Sequence, residues 1–208
     1  GSPSLIPMNE ERFERSIMLY GEDGFHRLQE SLVAVVGLGG VGSYAAEALV
    51  RAGVGRLRLI DCDVIKASDM NRQLLALEHT IGTPKVDAAR ERFLGINGAL
   101  AIDCRYAFFH TDTARDLVTK EIDFVIDAID SVGPKGELIR HCTDLEVPLI
   151  SAMGAAGKTD PSLVRIDLLE NTRTCMLARA VRRYLRGKKA STAIPVVYSR
   201  ERSVAHGG

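Results

Sequence analysis

The sequence has no apolar run long enough to cross a membrane, because its longest apolar stretches have the length of a strand and are interrupted by charged residues. No basic segment followed by an apolar one precedes the first predicted strand, so we expect no leader. We therefore expect a cytoplasmic protein that makes no membrane contact.

Paired cysteines are also lacking. The four cysteines form no CxxC pair and lie far apart at Cys62, Cys104, Cys142 and Cys175. The sequence therefore predicts neither a disulfide framework nor a structural zinc site. A lone cysteine is more often a small buried side chain than a nucleophile, although the arginines near Cys175 leave a reactive thiol open as an alternative.

Net charge is absent as well, since 27 basic side chains balance 27 acidic ones. The distribution is nevertheless uneven, because residues 173–202 hold nine basic side chains and a single acid. Part of this run, residues 174–185, is predicted to be a helix. Helical spacing places four arginines on a shared face: Arg179, Arg182, Arg183 and Arg186. Such a face is either solvated or binds a polyanion.

The feature that is present and most informative is residues 32–53, LVAVVGLGGVGSYAAEALVRAG. An apolar run of strand length leads into a glycine cluster, and a helical pattern follows. The glycines of this cluster are Gly37, Gly39, Gly40 and Gly42. Glycines permit a tight turn and the close approach of a ligand, and the free N–H groups at a helix start favour phosphate. The pattern predicts a nucleotide site, with a turn needed only for helix packing as the alternative.

Two acidic residues follow predicted strands. Asp61 ends the alternating segment 56–60, where a carboxylate can bind the ribose hydroxyls or cap a turn. Asp130 follows the buried strand 122–126, at the edge where open α/β sheets bind their ligands. Its carboxylate suits Mg²⁺, and the alternative is a cap for the helix that begins near Ser131.

Basic and amide side chains lie between these acids. Asn71, Arg72 and Gln73 end a polar segment, and Lys85 begins a helix that we expect Thr83 to cap. Singly, these are ordinary surface residues. Together, the guanidinium and the ammonium indicate a triphosphate ligand, because both donate to phosphate oxygens.

The predicted fold class is α/β, with a Rossmann-like, doubly wound and mostly parallel sheet. We expect a tag remnant and an N-terminal helical segment in residues 1–31, an ATP-binding core in 32–152, and a strand–helix–strand extension with the basic helix in 153–208. The N-terminal helical pattern covers residues 9–28 and is interrupted near its glycines. The final strand, residues 193–198, is expected at an edge of the sheet.

Five motifs give a more specific indication, because they occur in the order and spacing of the E1-like (ThiF/MoeB/HesA) adenylating enzymes. They are GLGGVG at 37–42, LIDCD at 59–63, NRQ at 71–73, GTPK at 82–85 and DAIDS at 127–131. The sequence thus resembles that superfamily over residues 12–149. The resemblance implies an ATP-binding homodimer that adenylates a carboxylate.

The resemblance also implies roles for individual residues. Asp61 would bind the ribose, Arg72 and Lys85 the phosphates, and Asp130 the Mg²⁺ ion. The remaining members of the implied nucleotide site are the four glycines, Asp63, Asn71 and Gln73.

Two further positions bear on this implied site. Arg15 falls where these enzymes send an arginine into the partner's ATP site. Asp69 stands where the family commonly has asparagine, so we place it outside the site.

Beyond Pro148 the sequence resembles the tRNA threonylcarbamoyladenosine dehydratase branch, which cyclises N6-threonylcarbamoyladenosine in tRNA. Residues 154–161, GAAGKTDP, match its glycine-rich loop, and the two CxxC zinc pairs typical of sulfur-carrier activators are missing. This branch implies ATP and Mg²⁺ as cofactors and tRNA as substrate, with the four arginines of the basic helix on its phosphates.

Three alternatives stay open from the sequence. The first is activation of the C-terminal glycine of a ubiquitin-like or sulfur-carrier protein, with Cys175 as a candidate for sulfur or acyl transfer. The glycine motif alone also permits an NAD-dependent oxidoreductase. A degenerate, non-catalytic scaffold is the third alternative, since a fold does not establish activity.

Overall fold

The apolar run before the glycine cluster forms the central strand of a sheet. In the computed structural model, which describes residues 11–203, strand β1 (Leu32–Val36) is buried along its whole length. It pairs in parallel with β2 (Arg56–Asp61) on one side and with β4 (Phe124–Asp127) on the other. A parallel strand covered on both faces needs apolar side chains throughout, which explains why this run does not alternate.

Four more strands complete a seven-stranded sheet: β3 (Ala101–Tyr106), β5 (Leu149–Ala152), β6 (Val164–Leu168) and β7 (Pro195–Ser199). The strand order is β3-β2-β1-β4-β5-β7-β6. All neighbours are parallel except the antiparallel pair of β6 and β7. The chain leaves β1 in one direction and returns on the other side at β4, which creates a topological switch point. The predicted Rossmann-like, mostly parallel fold is confirmed.

Helices cover the sheet on both faces. They are α1 (Glu14–Glu30), α2 (Gly42–Ala52), α3 (Lys85–Ile96), α4 (Ala114–Leu117), α5 (Val132–Leu145) and α6 (Met176–Gly187). One core contains Leu138 of α5 and Val181 of α6. The other, across the sheet, contains Val50 of α2 and Phe93 of α3. None of the helices within residues 11–203 is both long and apolar enough to cross a membrane.

Helix α1 is interrupted as the sequence predicts. Gly21 leaves the helical region with φ of 72°, and residues 9 and 10 of the predicted helix lie outside the described residues. Phe25, in the second half of α1, packs against Phe13 with ring centroids 5.4 Å apart. The Phe25 ring also fills the space over Gly53, where a Cβ would lie 2.3 Å from it. The second half of α1 is therefore docked on the end of α2.

The prediction that residues 193–198 form an edge strand is wrong. Strand β7 lies between β5 and β6, and β6 is the edge, with all five of its residues exposed. Pro195 is compatible with this inner position because it is the first residue of β7, where a missing N–H is tolerated. The sheet therefore runs on into the segment that the sequence predicts as an extension.

Candidate functional site

A cavity of about 760 Å³ opens at the switch point. Its wall is built by the carboxyl ends of β1, β2, β4 and β5 and by the segments that follow them. A groove of similar size, about 780 Å³, lies between α4 and α5 but contains none of the predicted site residues. The cavity at the switch point is therefore the candidate site, as expected for an open α/β sheet.

The glycine cluster forms the turn between β1 and α2. Gly37 has φ of +90°, and a Cβ on Gly42 would lie 1.7 Å from the carbonyl oxygen of Gly37. Gly37, Gly39 and Gly40 line the cavity, whereas Gly42 is buried beneath the turn and does not. The sequence left open whether these glycines serve a ligand or only helix packing. The turn has features of both, because three of the glycines face the cavity while Gly42 permits close packing.

Asp61 fastens this turn to the end of β2. Its carboxylate accepts hydrogen bonds from the amide of Leu38 at 2.6 Å and from the amide of Asp63 at 2.8 Å. Burial raises the pKa of Asp61, and these two amides oppose the rise. Each carboxylate oxygen has two lone pairs, so Asp61 can cap the turn and still accept a hydrogen bond from a ribose hydroxyl in the cavity.

Lys85 is the first residue of α3, and its side chain lies in the cavity wall with only 7% exposed. Its Nζ is 3.4 Å from Asp63 Oδ2, and its amide donates to the Asp63 carbonyl at 3.0 Å. The prediction that Thr83 caps this helix is wrong, because Pro84 occupies the N-cap position and makes no side-chain cap. Pro84 is not in a helical conformation, so the helix begins at the next residue and Lys85 is still held at its start.

Arg72 also lines the cavity, and its side chain is 58% exposed. Its Nη1 donates to the Ser68 carbonyl at 3.0 Å and to Asn71 Oδ1 at 2.9 Å. Asn71 is itself exposed and does not line the cavity. Its contact is with the arginine, so in this structure it orients Arg72.

Asp69, which the sequence places outside the site, lies in the cavity wall. Its Oδ2 accepts from the Lys66 amide at 3.0 Å, and its Oδ1 accepts from Gln73 Nε2 at 3.1 Å. These bonds fold the segment that carries Arg72. Gln73 lines the cavity too, and its Oε1 is buried with no hydrogen-bond partner in the described chain. A ligand or water that donates to Oε1 would remove this cost.

Asp130 is exposed at the cavity wall after β4. The N-cap of α5 is Ser131, and no side chain caps that helix, so the alternative role of Asp130 as a cap is wrong. Within residues 11–203, Asp130 has no hydrogen-bond or ion-pair partner. Its carboxylate can therefore bind a cation. Arg15 lies on the exposed first half of α1 and is absent from the wall of its own cavity.

A buried ion pair beneath the Asp130 loop was missed by the sequence reasoning. Lys135 and Asp127 are both fully buried and are 2.7 Å apart. The same Asp127 oxygen accepts from the Ser151 hydroxyl, while its other oxygen accepts from the Ile129 amide at 3.0 Å. The available signal was a lysine on the same helical face as Leu138, which marks a buried cation in need of a partner.

An aromatic side chain at the cavity was missed as well. Phe108, which follows β3, is 52% exposed and lines the same cavity as Asp61. An exposed ring in the wall of a candidate nucleotide cavity is suited to stack on a base. The signal was the pair of phenylalanines directly after a strand.

The basic helix differs from its prediction at one position. Arg179, Arg183 and Arg186 are exposed. Arg182 instead donates to the carbonyl oxygens of Leu169 and Thr172 at 3.2 and 3.1 Å and also to the Thr172 hydroxyl. It ties α6 to the preceding segment, so the prediction of four arginines available to a polyanion is wrong for Arg182.

Cys175 lies at the N-cap of α6, and its side chain is buried. Its Sγ accepts a hydrogen bond from the Ala178 amide at 3.5 Å. These contacts match the structural alternative for this cysteine.

Comparison with known proteins identifies the family of the chain. The model of the ThiF family matches residues 13–196. The chain belongs to the ThiF family. It is 40% identical over 190 residues to the tRNA threonylcarbamoyladenosine dehydratase of Bacillus subtilis, which covers 91% of this chain and 75% of that protein. The E1-like resemblance is thereby confirmed.

Two further relatives match different shares of this chain. The structure of the Escherichia coli tRNA N6-threonylcarbamoyladenosine dehydratase in complex with ATP has a TM-score of 0.89 and 34% identity, covering 95% of this chain and 84% of that one. The molybdopterin-synthase adenylyltransferase of E. coli is 40% identical over 147 residues, covering 70% of this chain and 58% of that protein. The similarity to the dehydratases therefore extends further along the chain.

We expect Lys135→Met to lower the free energy of unfolding by about 3–5 kcal/mol, because it leaves the Asp127 carboxylate buried without a cation. The double variant Asp127→Asn, Lys135→Met should recover most of this loss, since no charge then remains. Urea unfolding followed by circular dichroism measures both. Lys120→Met, at an exposed lysine, is the control, and an equal loss in that variant would contradict the assignment.

Proposed function

We propose that this ThiF-family protein uses ATP to adenylate the threonyl carboxylate of N6-threonylcarbamoyladenosine in tRNA and then cyclises it. The observation that carries the proposal is that one cavity brings together a ribose-binding acid, two cations and a free carboxylate. These are Asp61, Arg72, Lys85 and Asp130. The extent of the similarity to tRNA threonylcarbamoyladenosine dehydratases supports this choice of substrate.

Polar and charged side chains of the cavity wall orient the nucleotide. Asp61 accepts from the ribose, and Phe108 contacts the base beside it. The glycine turn brings backbone close to the phosphates, and Lys85 and Arg72 donate to their oxygens. In this proposed binding mode, the α-phosphate lies between the glycine turn and the Asp130 loop.

The chemistry follows from the poor reactivity of a free carboxylate. Its oxygen attacks the α-phosphate, pyrophosphate leaves, and the carboxyl group becomes a mixed anhydride with AMP. The carbamoyl group of the same nucleoside then attacks the activated carbonyl, and AMP leaves with the carboxylate oxygen. The net change is loss of one water from the nucleoside and cleavage of ATP to AMP and pyrophosphate. No nucleophile from the protein is needed, so positioning and charge neutralisation provide the catalysis.

Asp130 is the residue that would hold Mg²⁺. The ion would supply positive charge for the phosphates and retain several waters. The donor set fits this role, since a carboxylate oxygen is the hard ligand that Mg²⁺ prefers and Asp130 is not engaged by another group in the described chain. Asp61, Cys62 and Asp63 also cluster within 4.8 Å, but Asp61 is bonded to two amides and Asp63 lies beside Lys85.

The exposed arginines of α6 are proposed to bind tRNA phosphates. Arg179, Arg183 and Arg186 lie on the same helix as Leu177, and Leu177 lines the cavity. Phosphate contacts of this kind orient the RNA without reading its sequence. They would bring the anticodon loop to the mouth of the cavity.

A homodimer that places Arg15 in the partner's ATP site is part of the proposal. Arg15 is exposed and absent from the wall of its own cavity, and it precedes Met18 and Leu19, which are 69% and 73% exposed. Adjacent large apolar side chains on a helix surface are typical of an interface. Association through this half of α1 would bury them and direct Arg15 to a second copy.

Activation of a small ubiquitin-like or sulfur-carrier protein is the second candidate, favoured by the similarity to the molybdopterin-synthase adenylyltransferase. The same adenylation chemistry would then act on a terminal glycine carboxylate. An NAD-dependent oxidoreductase accounts for neither Arg72 nor Lys85 in the wall. A non-catalytic scaffold does not account for the complete set of charged groups.

We expect the protein, given ATP, Mg²⁺ and tRNA that contains N6-threonylcarbamoyladenosine, to form a nucleoside lighter by one water, detected by nucleoside mass spectrometry. Asp130→Ala should abolish turnover and leave the fold intact, because it removes the proposed Mg²⁺ ligand. Turnover by Asp130→Ala would refute that role. If no cyclised nucleoside forms, yet a small protein ending in Gly-Gly drives pyrophosphate exchange, the second candidate is correct.

Neutralising Arg183 and Arg186 together should weaken tRNA binding and reduce the slope of log K against log salt by about two or somewhat less, because two phosphate contacts are lost. Filter binding across a salt series measures the slope. The matched control is Arg27→Gln with Arg90→Gln, two exposed arginines on α1 and α3, which pack in the core across the sheet from α6. Equal changes in both double variants would contradict a specific role for α6.

Arg15→Ala and Asp130→Ala should each be inactive alone but complement each other when mixed and allowed to exchange subunits. In a mixed dimer, one site receives both Arg15 and Asp130 from different chains. Because half of randomly exchanged dimers are mixed and each has one complete site, activity should reach about a quarter of the wild-type value. Absence of complementation in a mixture that has exchanged would place Arg15 outside the partner's site.

A further inference from the structure

The loop that follows β5, residues 154–160, forms part of the cavity wall. Gly154, Ala155 and Ala156 line the cavity next to Leu177 of α6. A Cβ on Gly154 would lie 3.5 Å from the Leu177 Cβ, so the loop starts in contact with the first turn of the basic helix. This loop and the first turn of α6 therefore share one part of the cavity wall.

The second half of the loop is held by one carboxylate, that of Glu201. The Thr159 amide donates to both of its oxygens at 3.0 and 2.9 Å, and the Asp160 amide donates to Oε2 at 2.9 Å. The Thr159 hydroxyl adds a bond of 3.2 Å, and Lys158 Nζ donates to the Glu201 carbonyl at 2.6 Å. The amides of Asp160 and Thr159 lower the pKa of Glu201, so the carboxylate stays ionised at neutral pH.

A further bond from the same segment reaches the tip of the loop, where the Ser203 hydroxyl donates to the Ala156 carbonyl at 3.1 Å. We call residues 201–203 the clasp. Between its two attachments lies Gly157, with φ of +67°, which allows the loop to turn there. The tip contains only alanine and glycine, so it has little side-chain area with which to pack and depends on the clasp for its position.

The negative charge of Glu201 lies within a basic segment of the chain. It is the single acid of the basic run 173–202, yet no ion pair joins it to an arginine or lysine side chain within residues 11–203. Its carboxylate is bonded instead to the loop. An acid in this run opposes tRNA binding electrostatically, so its effect on the loop is the property that distinguishes it from a surface charge.

We propose that Glu201 is a positioning residue for the nucleoside substrate. By fixing residues 154–160 it holds open a defined passage between α6 and the cavity, through which the threonyl carboxylate reaches the α-phosphate. This inference rests on the proposed function, since it takes tRNA bound along α6 as the substrate. A loop that moves by about 1 Å at such a passage is enough to reduce productive approach by up to about a hundredfold.

The test compares Glu201→Gln with wild type. Glutamine has the same shape but carries an NH₂ group in place of one carboxylate oxygen, so the Thr159 amide loses its bond to Oε1 and the bonds that remain have a neutral acceptor, which weakens them. We expect kcat/KM for the tRNA to fall about ten- to a hundredfold, with ATP affinity by calorimetry unchanged. Hydrogen exchange of the amides at 155–160 should become faster. Glu170→Gln, which removes an exposed acid in the segment before α6, is the matched control for net charge.

The electrostatic alternative predicts the opposite sign. If Glu201 acted only as a surface charge, removing either acid would strengthen the binding of tRNA to the basic helix. In both variants kcat/KM would then stay the same or rise. Unchanged or increased kcat/KM in Glu201→Gln overturns the proposal, and so does an equal fall in Glu170→Gln. If wild type forms no cyclised nucleoside, the proposed function fails, and unchanged exchange at 155–160 would then separately overturn the role of the clasp.

Discussion

The buried pair of Asp127 and Lys135 is the interaction on which the site depends. Asp127 ends β4, and its carboxylate binds Lys135 of α5 with one oxygen and the Ile129 amide with the other. The loop to Asp130 is thereby fixed at both the strand and the helix. A buried ion pair seldom stabilises a fold more than apolar side chains of similar size would. Its value here is geometric, because it holds the cavity wall in one conformation.

The glycine turn is fitted to the same loop. A Cβ on Gly37 would lie 2.8 Å from the Ala128 carbonyl oxygen, and the Ala128 amide donates to the Val36 carbonyl at 2.8 Å. The two halves of the cavity, one after β1 and one after β4, therefore position each other. Nucleotide binding would use a wall that is already built, which lowers the entropic cost of binding.

Both cations of the cavity have acidic neighbours. Lys85 is 3.4 Å from Asp63, and Arg72 is 3.9 Å from Asp69. The Arg72 side chain is exposed, so its pair contributes about 0–1 kcal/mol and a triphosphate can recruit this arginine at little cost. Lys85 is instead buried in the cavity wall. The acids keep the side chains near the cavity, which explains why Asp69 belongs to the wall although its charge repels phosphate.

Local pattern alone determined the centre of the fold and its candidate site. The apolar run, the glycine spacing and the strand-end acids predict β1, the turn, α2, β2 and Asp61, because each depends on neighbours in the chain. What only the tertiary structure decided is which side chains meet across elements. The order of β7 and β6, the burial of Lys135 and the inward bonds of Arg182 all depend on contacts between segments far apart in sequence. Helical spacing put Arg182 on a basic face, but the carbonyl oxygens of Leu169 and Thr172 decided where its guanidinium lies.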